Sequence, residues 1–437
     1  MESVTWNKTP LFRLVFAAIL GVGTAVAPLV LLGFGLIQFN IIRLVGEENV
    51  TAVYGMVAGI GGLAIVFLGP LGGVIADKTR LKFGRRRTWM IAGSIGGALS
   101  MLLLTYAPSI PVLVVGFCLV QFFYGMVSLS CFAIVPEQVE PEKFGRVSGL
   151  IGAAAPAFVM SGQMIMGVFA DSTVQQKLVA IAIIQLIGGI SAALLVKDNY
   201  FAGTAQASKN TPIWKRLQSF YPSYKKHPTF TWALLTKLFI NVSNAGLSLL
   251  TLFYIARFHL GEADIFKLMA YTAPSIMLMV VAGILGGFLS DKVKKQKPFV
   301  MGAALVTGLC LVAFAFSKDI KWVIVGNFIF NFGFGMYTAV DNALVNRILP
   351  SKLDAGKDLS IMNVTVQLSS ALVNFAAPAV IALGVAWFGG DGYTLFFLLL
   401  AGFSVLSALA VIPIPEMGAP IKGKEDDSEE IPHDKVG

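Results

Sequence analysis

The sequence has little charge. Asp, Glu, Lys and Arg make up 13% of its 437 residues, whereas about a quarter of the residues of a typical soluble domain are charged. Hydrophobic residues make up 56% of the chain, and its mean hydropathy is +0.77. These values exclude an ordinary soluble domain and predict a chain that is embedded in a lipid bilayer.

Cysteine and histidine are also scarce, with three of each. The cysteines, Cys118, Cys131 and Cys310, all fall within apolar segments, so we predict neither a disulfide framework nor a metal site. The histidines are far apart in the sequence, and no catalytic triad is visible. A Gly-x(4)-Gly-Lys-Ser/Thr phosphate loop is absent, which argues against a nucleotide-driven pump. We therefore predict that the protein is not an enzyme and has no cofactor.

Long apolar runs are abundant. Twelve are long enough to cross a bilayer, which takes roughly 20 residues, and we number them spans 1 to 12. They cover residues 12–37, 50–76, 88–107, 112–135, 147–170, 178–196, 229–256, 265–290, 299–317, 322–347, 360–386 and 393–413. The predicted fold is an all-α membrane protein with twelve transmembrane helices in two six-helix bundles. The bundles are predicted at 1–196 and 229–415, with a cytoplasmic linker at 197–228 and a disordered cytoplasmic tail at 416–437.

The net charge of +9 reflects topology rather than a nucleic-acid partner. Most Lys and Arg residues lie before span 1, in the connections that follow even-numbered spans, or in the tail. This distribution follows the positive-inside rule and predicts that both termini face the cytoplasm of a multi-pass plasma-membrane protein. The first apolar run is too long for a signal-peptide core, so we expect it to remain as a helix.

A stretch between spans 2 and 3 recurs between spans 8 and 9. The first copy contains Gly72, Gly73, Asp77, Arg85, Arg86 and Arg87, and the second contains Gly286, Gly287, Asp291 and Lys297. The match continues into spans 4 and 10, where Gly116, Gln121, Gly125 and Met126 correspond to Gly326, Asn331, Gly335 and Met336. Two parallel copies of one unit are typical of secondary transporters, whose solute site lies between the halves near the bilayer midplane.

Polar side chains form stripes on several spans. A polar group in hydrocarbon is costly, so it normally faces a cavity or a partner. Positions at helical spacing are Lys237, Asn241, Asn244 and Ser248 on span 7, Asn327, Asn331, Thr338 and Asp341 on span 10, and Asn363, Gln367, Ser370 and Asn374 on span 11. The first half offers Gln121, Tyr124 and Ser128 on span 4, and Ser161 and Gln163 on span 5.

These groups are mostly neutral amides and hydroxyls, which suit a solute rich in hydroxyl groups. The alternative is that they are hydrogen-bonding contacts between helices. The predicted substrate-binding residues are Gln121, Tyr124, Gln163, Lys237, Asn241, Asn244, Asn327, Asn331, Asp341 and Gln367.

Two charges lie well inside the spans. From the ends of their helices, Lys237 is about 12 Å deep and Asp341 about 9 Å deep at 1.5 Å per residue, on the same side of the membrane. We therefore predict that they form an ion pair. The pair could be a proton-sensitive latch, a binding site for a charged group of the solute, or a permanent structural contact.

The repeated stretch between spans 2 and 3 is a predicted gate. Its glycines allow close helix contact, Asp77 can accept bonds from a helix N-terminus, and the arginines can pair with Glu137 at the end of span 4. Such contacts would hold the inner side shut. The predicted gating residues are Gly73, Asp77, Arg85, Arg86, Arg87, Glu137 and Asp291, and the alternative for the arginines is simple positive-inside anchoring.

With these motifs, the chain resembles the major facilitator superfamily over all twelve spans. Two shorter segments are similar to bacterial members of the sucrose-transporter-like group, which is related to glycoside-cation symporters. They are Phe83-Gly84-Arg85-Arg86-Arg87, and Val340-Asp341-Asn342-Ala343-Leu344 with Leu349-Pro350 and Gly356-Lys357-Asp358-Leu359. The resemblance implies an alternating-access importer of a sugar or glycoside, driven by protons. Separately, we expect a monomer in the lipid bilayer, with a small solute and protons or another cation as its partners.

The chain departs from that group at one position. The acidic residue that the plant-type symporters use for proton coupling would fall at about Gln121, which cannot titrate. Proton coupling would then run through Asp341 or the loop acids, or the protein would be a facilitator or use another ion. Two other functions remain open: export of drugs or other amphipathic compounds, and a non-transporting membrane sensor.

Overall fold

The computed structural model describes residues 9–198, apart from 80 and 82, together with 228–348 and 355–416. Its regular elements within these ranges are all helices, which confirms the predicted all-α class. Eleven helical stretches in these ranges are long and apolar enough to cross a membrane, and the first of them, Leu11–Gly73, has 63 residues. The predicted linker and tail lie almost entirely outside the described residues.

Spans 1 and 2 are joined by a break rather than by a loop. Span 1 begins as Leu11–Leu31, passes through a π-helical turn at Leu32–Leu36 and continues into the helix Ile37–Lys78. A straight helix of 63 residues would be about 95 Å long, or about three times the hydrocarbon thickness. The chain reverses at Gly46, whose φ of 77° and ψ of 173° interrupt the helix. The helix therefore extends through most of the connection predicted at 38–49.

The remaining spans of the first half are regular helices. Spans 3 to 6 are Arg85–Thr105, Ile110–Gln138, Phe144–Val168 and Val174–Leu195, with a short 3-10 helix at Pro141–Lys143 before span 5. Thr173 begins span 6 with a capping box, because its hydroxyl accepts from Gln176 N while the Gln176 side chain accepts from Thr173 N.

Two spans of the second half are divided. Span 7 consists of Pro228–Ala245, a 3-10 turn at Gly246–Leu249 and Leu250–Phe258. Span 8 consists of Glu262–Thr272 and Pro274–Val293. Spans 9 to 12 are Lys297–Phe316, Ile320–Ile348, Ala355–Phe388 and Tyr393–Ala410.

The packing of the helices gives two groups of six. In the first group span 1 packs against spans 4, 5 and 6, span 3 against spans 4 and 6, and span 2 against span 4. In the second, span 7 packs against spans 11 and 12, span 8 against span 10, and span 9 against spans 10 and 12. The main contacts between the groups are span 2 with span 11 and span 5 with span 8.

All odd-numbered spans begin, and all even-numbered spans end, at one side of the molecule. We call this side the terminal face, because both described chain ends, Thr9 and Glu416, lie there, and we call the other side the opposite face. The predicted topology makes the terminal face cytoplasmic.

The duplication predicted from the sequence recurs as a repeated contact at the opposite face. Arg43, late in span 1, donates to Thr105 O and Ala107 O at the end of span 3, in both cases over 3.2 Å. Arg257, at the end of span 7, donates to Phe314 O and Ala315 O at the end of span 9, over 3.0 and 2.9 Å. In each half an arginine therefore satisfies carbonyls that the helix end leaves without partners.

The N-terminus of span 3 is held by Asp198, just past the end of span 6. Asp198 Oδ2 accepts from Arg86 N over 2.6 Å and from Arg87 N over 3.0 Å. Burial raises the pKa of Asp198, although these two backbone hydrogen bonds act in the other direction. Gly84 precedes the helix with a φ of 99°, and a Cβ built there would lie 2.5 Å from Asp198 Oδ2. Only glycine fits this position without strain.

We expect Gly84→Ala to lower the free energy of unfolding by about 1–3 kcal/mol, because it adds backbone strain and pushes Asp198 away from the helix end. The midpoint of thermal unfolding of the purified protein in detergent measures this effect. Gly145→Ala is the matched control, since a Cβ at Gly145 meets no atom within 4 Å. Equal midpoints for the two variants would contradict the assigned role of Gly84.

Candidate functional site

A cavity of about 550 Å³ lies between the two bundles. Its described lining comes from spans 1 and 5 of the first bundle and from spans 7, 8, 10 and 11 of the second. The volume is within the range of about 300–1,000 Å³ that is usual for small-molecule sites. We call this space the central cavity.

The second bundle supplies a polar wall. The side chains that line it include Asn241, Asn244, Ser248, Ser275, Asn327, Asn331, Gln367 and Ser370. Five of these, Asn241, Asn244, Asn327, Asn331 and Gln367, were predicted from helical spacing to bind solute, and the structure brings all five to the same cavity. Asn363, on the same stripe of span 11, has a side chain outside the described part of the structure.

Three polar side chains of spans 8 and 10 form a closed triangle in this wall. Ser275 Oγ donates to Asn327 Oδ1 over 3.0 Å, and Asn331 Nδ2 lies 3.0 Å from the same oxygen and 3.2 Å from Ser275 Oγ. Asn331 Nδ2 also donates to Asn327 O over 2.9 Å. The orientation of the Asn331 amide is therefore set before a solute arrives, which reduces the entropy lost on binding.

The first bundle supplies an apolar wall. It consists mainly of Val26, Leu29, Val30, Phe34, Ala155, Pro156 and Val159. Gln163, another predicted binding residue, is the amide on this side and is only 5% exposed. The aromatic rings at the cavity are Phe34, Tyr254 and Phe334. Among the described lining residues none carries a full charge, so the cavity has one apolar and one neutral polar side.

Spans 1 and 7 are both interrupted beside the cavity. In span 1, Phe34 has φ −103° and ψ 73° and Gly35 has φ 94° and ψ −42°, while span 7 changes to a 3-10 turn at Gly246–Leu249. The two breaks occupy corresponding positions in the two halves. Breaks of this kind are frequent at functional sites in helices, and in transporters of repeated architecture they mark the binding region.

The buried Gln38 connects the two breaks. Its Oε1 accepts from Gly35 N over 3.0 Å, and its Nε2 donates to Gly33 O over 2.7 Å and to Ser248 O over 3.0 Å. Gln38 is 0% exposed. Its side chain therefore satisfies backbone groups that the π-helical turn leaves without helical partners, and it links the first bundle to the second.

Further contacts join the bundles toward the opposite face. Lys177 Nζ lies 3.6 Å from Glu262 Oε1 and 4.3 Å from the centre of the Phe266 ring. A Cβ at Gly167 of span 5 would lie 2.2 Å from the Cβ of Ala270 of span 8, so these helices pack with little space between them. These contacts close the cavity on that side.

The structure is more open toward the terminal face. Gly145, Gly149 and Gly152 lie in the half of span 5 nearest that face, and a Cβ at any of them would meet no heavy atom within 4 Å. Leu150 between them is 56% exposed. Span 5 is therefore packed tightly against span 8 at one end and largely uncovered at the other.

The predicted ion pair between spans 7 and 10 is present. Lys237 Nζ lies 3.4 Å from Asp341 Oδ2, and the two side chains are 12% and 3% exposed. Lys237 also donates to Asn342 Oδ1 over 3.1 Å, and Asp341 Oδ1 lies 3.4 Å from the Tyr337 hydroxyl. Neither charge lines the central cavity, so direct contact with solute, which we predicted for both, is not what the geometry shows. The link to the cavity is Asn241, whose Nδ2 donates to Lys237 O over 2.7 Å.

The predicted arginine contacts at the terminal face are largely present. Arg85 Nη2 and Arg86 Nη2 lie 2.6 and 2.8 Å from Glu137 Oε1. Arg87 instead donates to Ala193 O of span 6 over 2.9 Å and lies above the Phe83 ring. All these partners are in the first bundle, so the contacts bind spans 3, 4 and 6 together.

The other three predicted gating residues, Gly73, Asp77 and Asp291, lie in the helices of spans 2 and 8. Close helix contact occurs at Gly72, where a Cβ would lie 2.4 Å from Met126 Sδ, whereas a Cβ at Gly73 would meet nothing within 4 Å. Close helix contact was predicted for both glycines, and it is therefore made by Gly72 and not by Gly73. Asp291 is exposed at the end of span 8. Asp77 lies in the helix of span 2, and its side chain is outside the described part of the structure.

Two predicted binding residues of span 4 do not line the central cavity. Gln121 lines a separate, smaller cavity between spans 2 and 4. Tyr124 is 0% exposed and packs against span 3, where a Cβ at Gly97 would lie 2.2 Å from its ring. Helical spacing placed both residues on one face of span 4, but in the structure this face turns toward spans 2 and 3.

Several cavity residues were not predicted. Thr251, Tyr254 and Thr272 line the central cavity without belonging to a stripe. Gln38 was missed because it follows the predicted end of span 1. A signal was present in the paired glycines Gly33 and Gly35, which interrupt an otherwise apolar helix near its end.

Comparisons with known proteins agree with this architecture. The family model described as Major Facilitator Superfamily matches residues 14–374. The solved structure of the nucleoside transporter NupG superposes with a TM-score of 0.72 at 14% identity, over 92% of this chain and 99% of that one. A D-xylose-proton symporter superposes with a TM-score of 0.69 at 15% identity, over 93% and 99%. No curated protein sequence matches significantly.

The ion pair gives a test by double-mutant cycle. We expect Lys237→Ala and Asp341→Ala each to lower the free energy of unfolding by about 3–5 kcal/mol, because each leaves one buried charge without its partner. In the double variant, the free energy of unfolding is expected to fall by less than the sum of the two single losses. Denaturant unfolding in detergent measures all four proteins, and strictly additive losses would show that the two charges do not stabilise one another.

Proposed function

The chain belongs to the Major Facilitator Superfamily, and we propose that it moves a neutral, hydroxyl-rich solute, a sugar or glycoside, across the plasma membrane by alternating access. The protein is a membrane transporter and not an enzyme, as its family and fold indicate. The proposal concerns the solute, the driving ion and the direction of transport.

The neutral, two-sided lining of the central cavity carries the proposal. Amides and hydroxyls from spans 7, 8, 10 and 11 can exchange hydrogen bonds with several solute hydroxyl groups at once, while Phe34 and Phe334 offer ring faces to the apolar side of a sugar. A charged solute would lose its hydration without finding a charged partner among the described lining residues, which is unfavourable. The cavity therefore favours neutral polar solutes over organic acids or cations.

The arrangement of the bundles supports alternating access. The cavity lies between them, is closed toward the opposite face by Gln38, Lys177 and Gly167, and is more open toward the terminal face. With the topology predicted from the charge distribution, this is an inward-facing state. The names of the two structural neighbours, a nucleoside transporter and a D-xylose-proton symporter, also refer to hydroxyl-bearing solutes.

We assign proton coupling to the Lys237–Asp341 pair. It is a buried ion pair, and the backbone carbonyl of Lys237 accepts a hydrogen bond from the side chain of Asn241, which lines the cavity. A proton on Asp341 would weaken the ion pair and release Lys237, which offers a route from protonation to movement of span 7 against span 10. Gln121, where the resembling symporters have an acid, cannot serve in this role.

Export of amphipathic compounds is the second candidate. The observation in its favour is the apolar wall formed by spans 1 and 5, which would suit the hydrophobic part of such a compound. The polar wall is less well explained by this function, since several of its amides would then face an apolar solute without a hydrogen-bonding partner.

The decisive measurement uses purified protein in proteoliposomes and a panel of radiolabelled monosaccharides, disaccharides, aryl glycosides and cationic dyes. We expect saturable uptake of a sugar or glycoside that rises when an inward proton gradient is imposed.

Asp341→Asn is expected to retain exchange of this solute and to lose accumulation, with Asp264→Asn, at an exposed acid, as the control. Dye expulsion without sugar binding would favour the exporter, and accumulation by Asp341→Asn would refute the coupling assignment.

The polar wall gives a second test. We expect Asn331→Leu to weaken solute binding by about tenfold or more, because a buried solute hydroxyl would lose its partner. Thr338→Val is the matched control on the same helix, since the Thr338 hydroxyl donates to Phe334 O and Thr338 is not among the described residues that line the cavity. Equilibrium binding of the transported solute gives the comparison, and equal affinities for the two variants would exclude Asn331 from the site.

A further inference from the structure

One aromatic ring of the second bundle is enclosed by the first bundle on the closed side of the central cavity. Phe266 of span 8 comes three residues before Met269, which lines the cavity, and is not itself among the described lining residues. Its side chain is 0% exposed. Because span 8 begins at the opposite face, Phe266 lies between the cavity and that face.

Three spans of the first bundle surround Phe266. From span 1, the Phe39 ring lies 5.7 Å away between ring centres, and a Cβ at Gly35 would lie 3.6 Å from Phe266 Cε1. From span 6, Lys177 Nζ lies 4.3 Å from the ring centre. From span 5, a Cβ at Gly167 would lie 3.1 Å from Phe266 O. We call these four residues the socket, and the bundles cannot separate at this face unless the ring leaves it.

Lys177 is anchored in the first bundle and reaches toward the second. Its ammonium group donates to Ala170 O over 3.0 Å and to Ser172 O, both just past span 5. Its partners in the second bundle are Glu262, at 3.6 Å, and the ring. Separation of the bundles would remove only these last two contacts. The Glu262 side chain is 37% exposed, so its ion pair contributes little, whereas a buried cation above a ring contributes more.

The repeat shows that the ring belongs to one half only. Ala52 of span 2 is the counterpart of Phe266, since each precedes the first glycine of the repeated stretch by 20 residues. Ala52 is exposed. Span 2 instead packs directly on span 11, where a Cβ at Gly55 would lie 2.5 Å from Asn374 O. The opposite face is therefore closed by direct helix contact beside span 2 and by a ring in a socket beside span 8.

We propose that Phe266 is the gate residue at the opposite face, and that Lys177 is a positioning residue that holds its ring in the socket. The ring leaves the socket when the protein opens toward that face. The gate adjoins the solute site, because a Cβ at Gly35 would lie 3.2 Å from Met269 Cε of the cavity wall. The inference rests on the proposed alternating access and not on the identity of the solute or the driving ion.

The test measures the separation of the two bundles at the opposite face of the purified full-length protein in lipid nanodiscs. Nitroxide labels are attached through Ser109→Cys and Lys318→Cys, at exposed positions of the two bundles, in a Cys118→Ser background. Double electron–electron resonance gives the distribution of distances. We expect Phe266→Ala to raise the ratio of the longer to the shorter distance by about tenfold or more, because burial of the ring no longer favours the closed state.

The contribution of Lys177 is tested by the same measurement. Lys177→Met is expected to raise the ratio by about twofold to thirtyfold, the effect of one cation–π contact. Glu262→Gln is expected to raise it less, because Lys177 then keeps the ring and both carbonyls. Lys267→Met is the matched control, since Lys267 lies 3.9 Å from Asp171 of the other bundle but both side chains are largely exposed. We expect no change in this variant.

Phe397→Ala is the matched control for the loss of a buried ring. Phe397 is 0% exposed, and the described rings in contact with it all belong to the second bundle. We expect this variant to unfold at a lower temperature without a change in the measured distance. A loss of stability is thereby separated from a shift between conformations.

An unchanged ratio in Phe266→Ala or in Lys177→Met would overturn the proposal. Equal shifts in Glu262→Gln and Lys177→Met would also overturn it, because the ion pair rather than the ring would then hold the gate. The measurement needs no solute, so an absence of sugar uptake would contradict the proposed function and leave this inference standing.

Discussion

The hydrogen bonds of Gln38 are the contact on which the rest of the structure depends. A backbone group without a partner is costly in hydrocarbon, so a transmembrane helix is interrupted only where the freed groups are satisfied in another way. Gln38 satisfies Gly33 and Gly35 in the interrupted span 1 and bonds to Ser248 O in the interrupted span 7. One uncharged side chain thus permits the break that shapes the cavity and joins the two bundles at that level.

The two halves share their framework and differ in their chemistry. The framework includes the arginines Arg43 and Arg257, which hold the ends of spans 3 and 9. It also includes two close contacts, in which a Cβ at Gly72 would lie 2.4 Å from Met126 Sδ and a Cβ at Gly286 would lie 2.6 Å from Met336 Cγ. The central cavity, by contrast, has its amides mainly on the second bundle and its apolar surface on the first. Duplication explains the scaffold, and divergence of the residues that line the central cavity explains why its two walls are different.

Much of this arrangement follows from the sequence by simple rules. The spans are predictable because a bilayer demands long apolar helices, and the Lys237–Asp341 pair is predictable because both charges lie at similar depth and each is costly alone. Helical spacing also identified Asn241, Asn244 and Asn331, because the cavity-facing side of a helix is continuous. Helical spacing did not predict the surroundings of Gln121 and Tyr124 correctly. It shows which residues share a face of a helix, but it does not show which neighbouring helix packs against that face.

Contacts between distant connections are beyond such rules. Asp198 and the Arg257–Asp391 pair lie outside any helical stripe, and the latter joins residues that are 134 positions apart. Asp198 has a mechanical consequence. Lys197 N donates to Thr9 Oγ1, Lys197 O accepts from Gln138 Nε2, and Asp198 is fastened to span 3. A force on the chain beyond Asp198 is therefore distributed over Thr9 and over spans 3, 4 and 6. It does not act on span 6 alone.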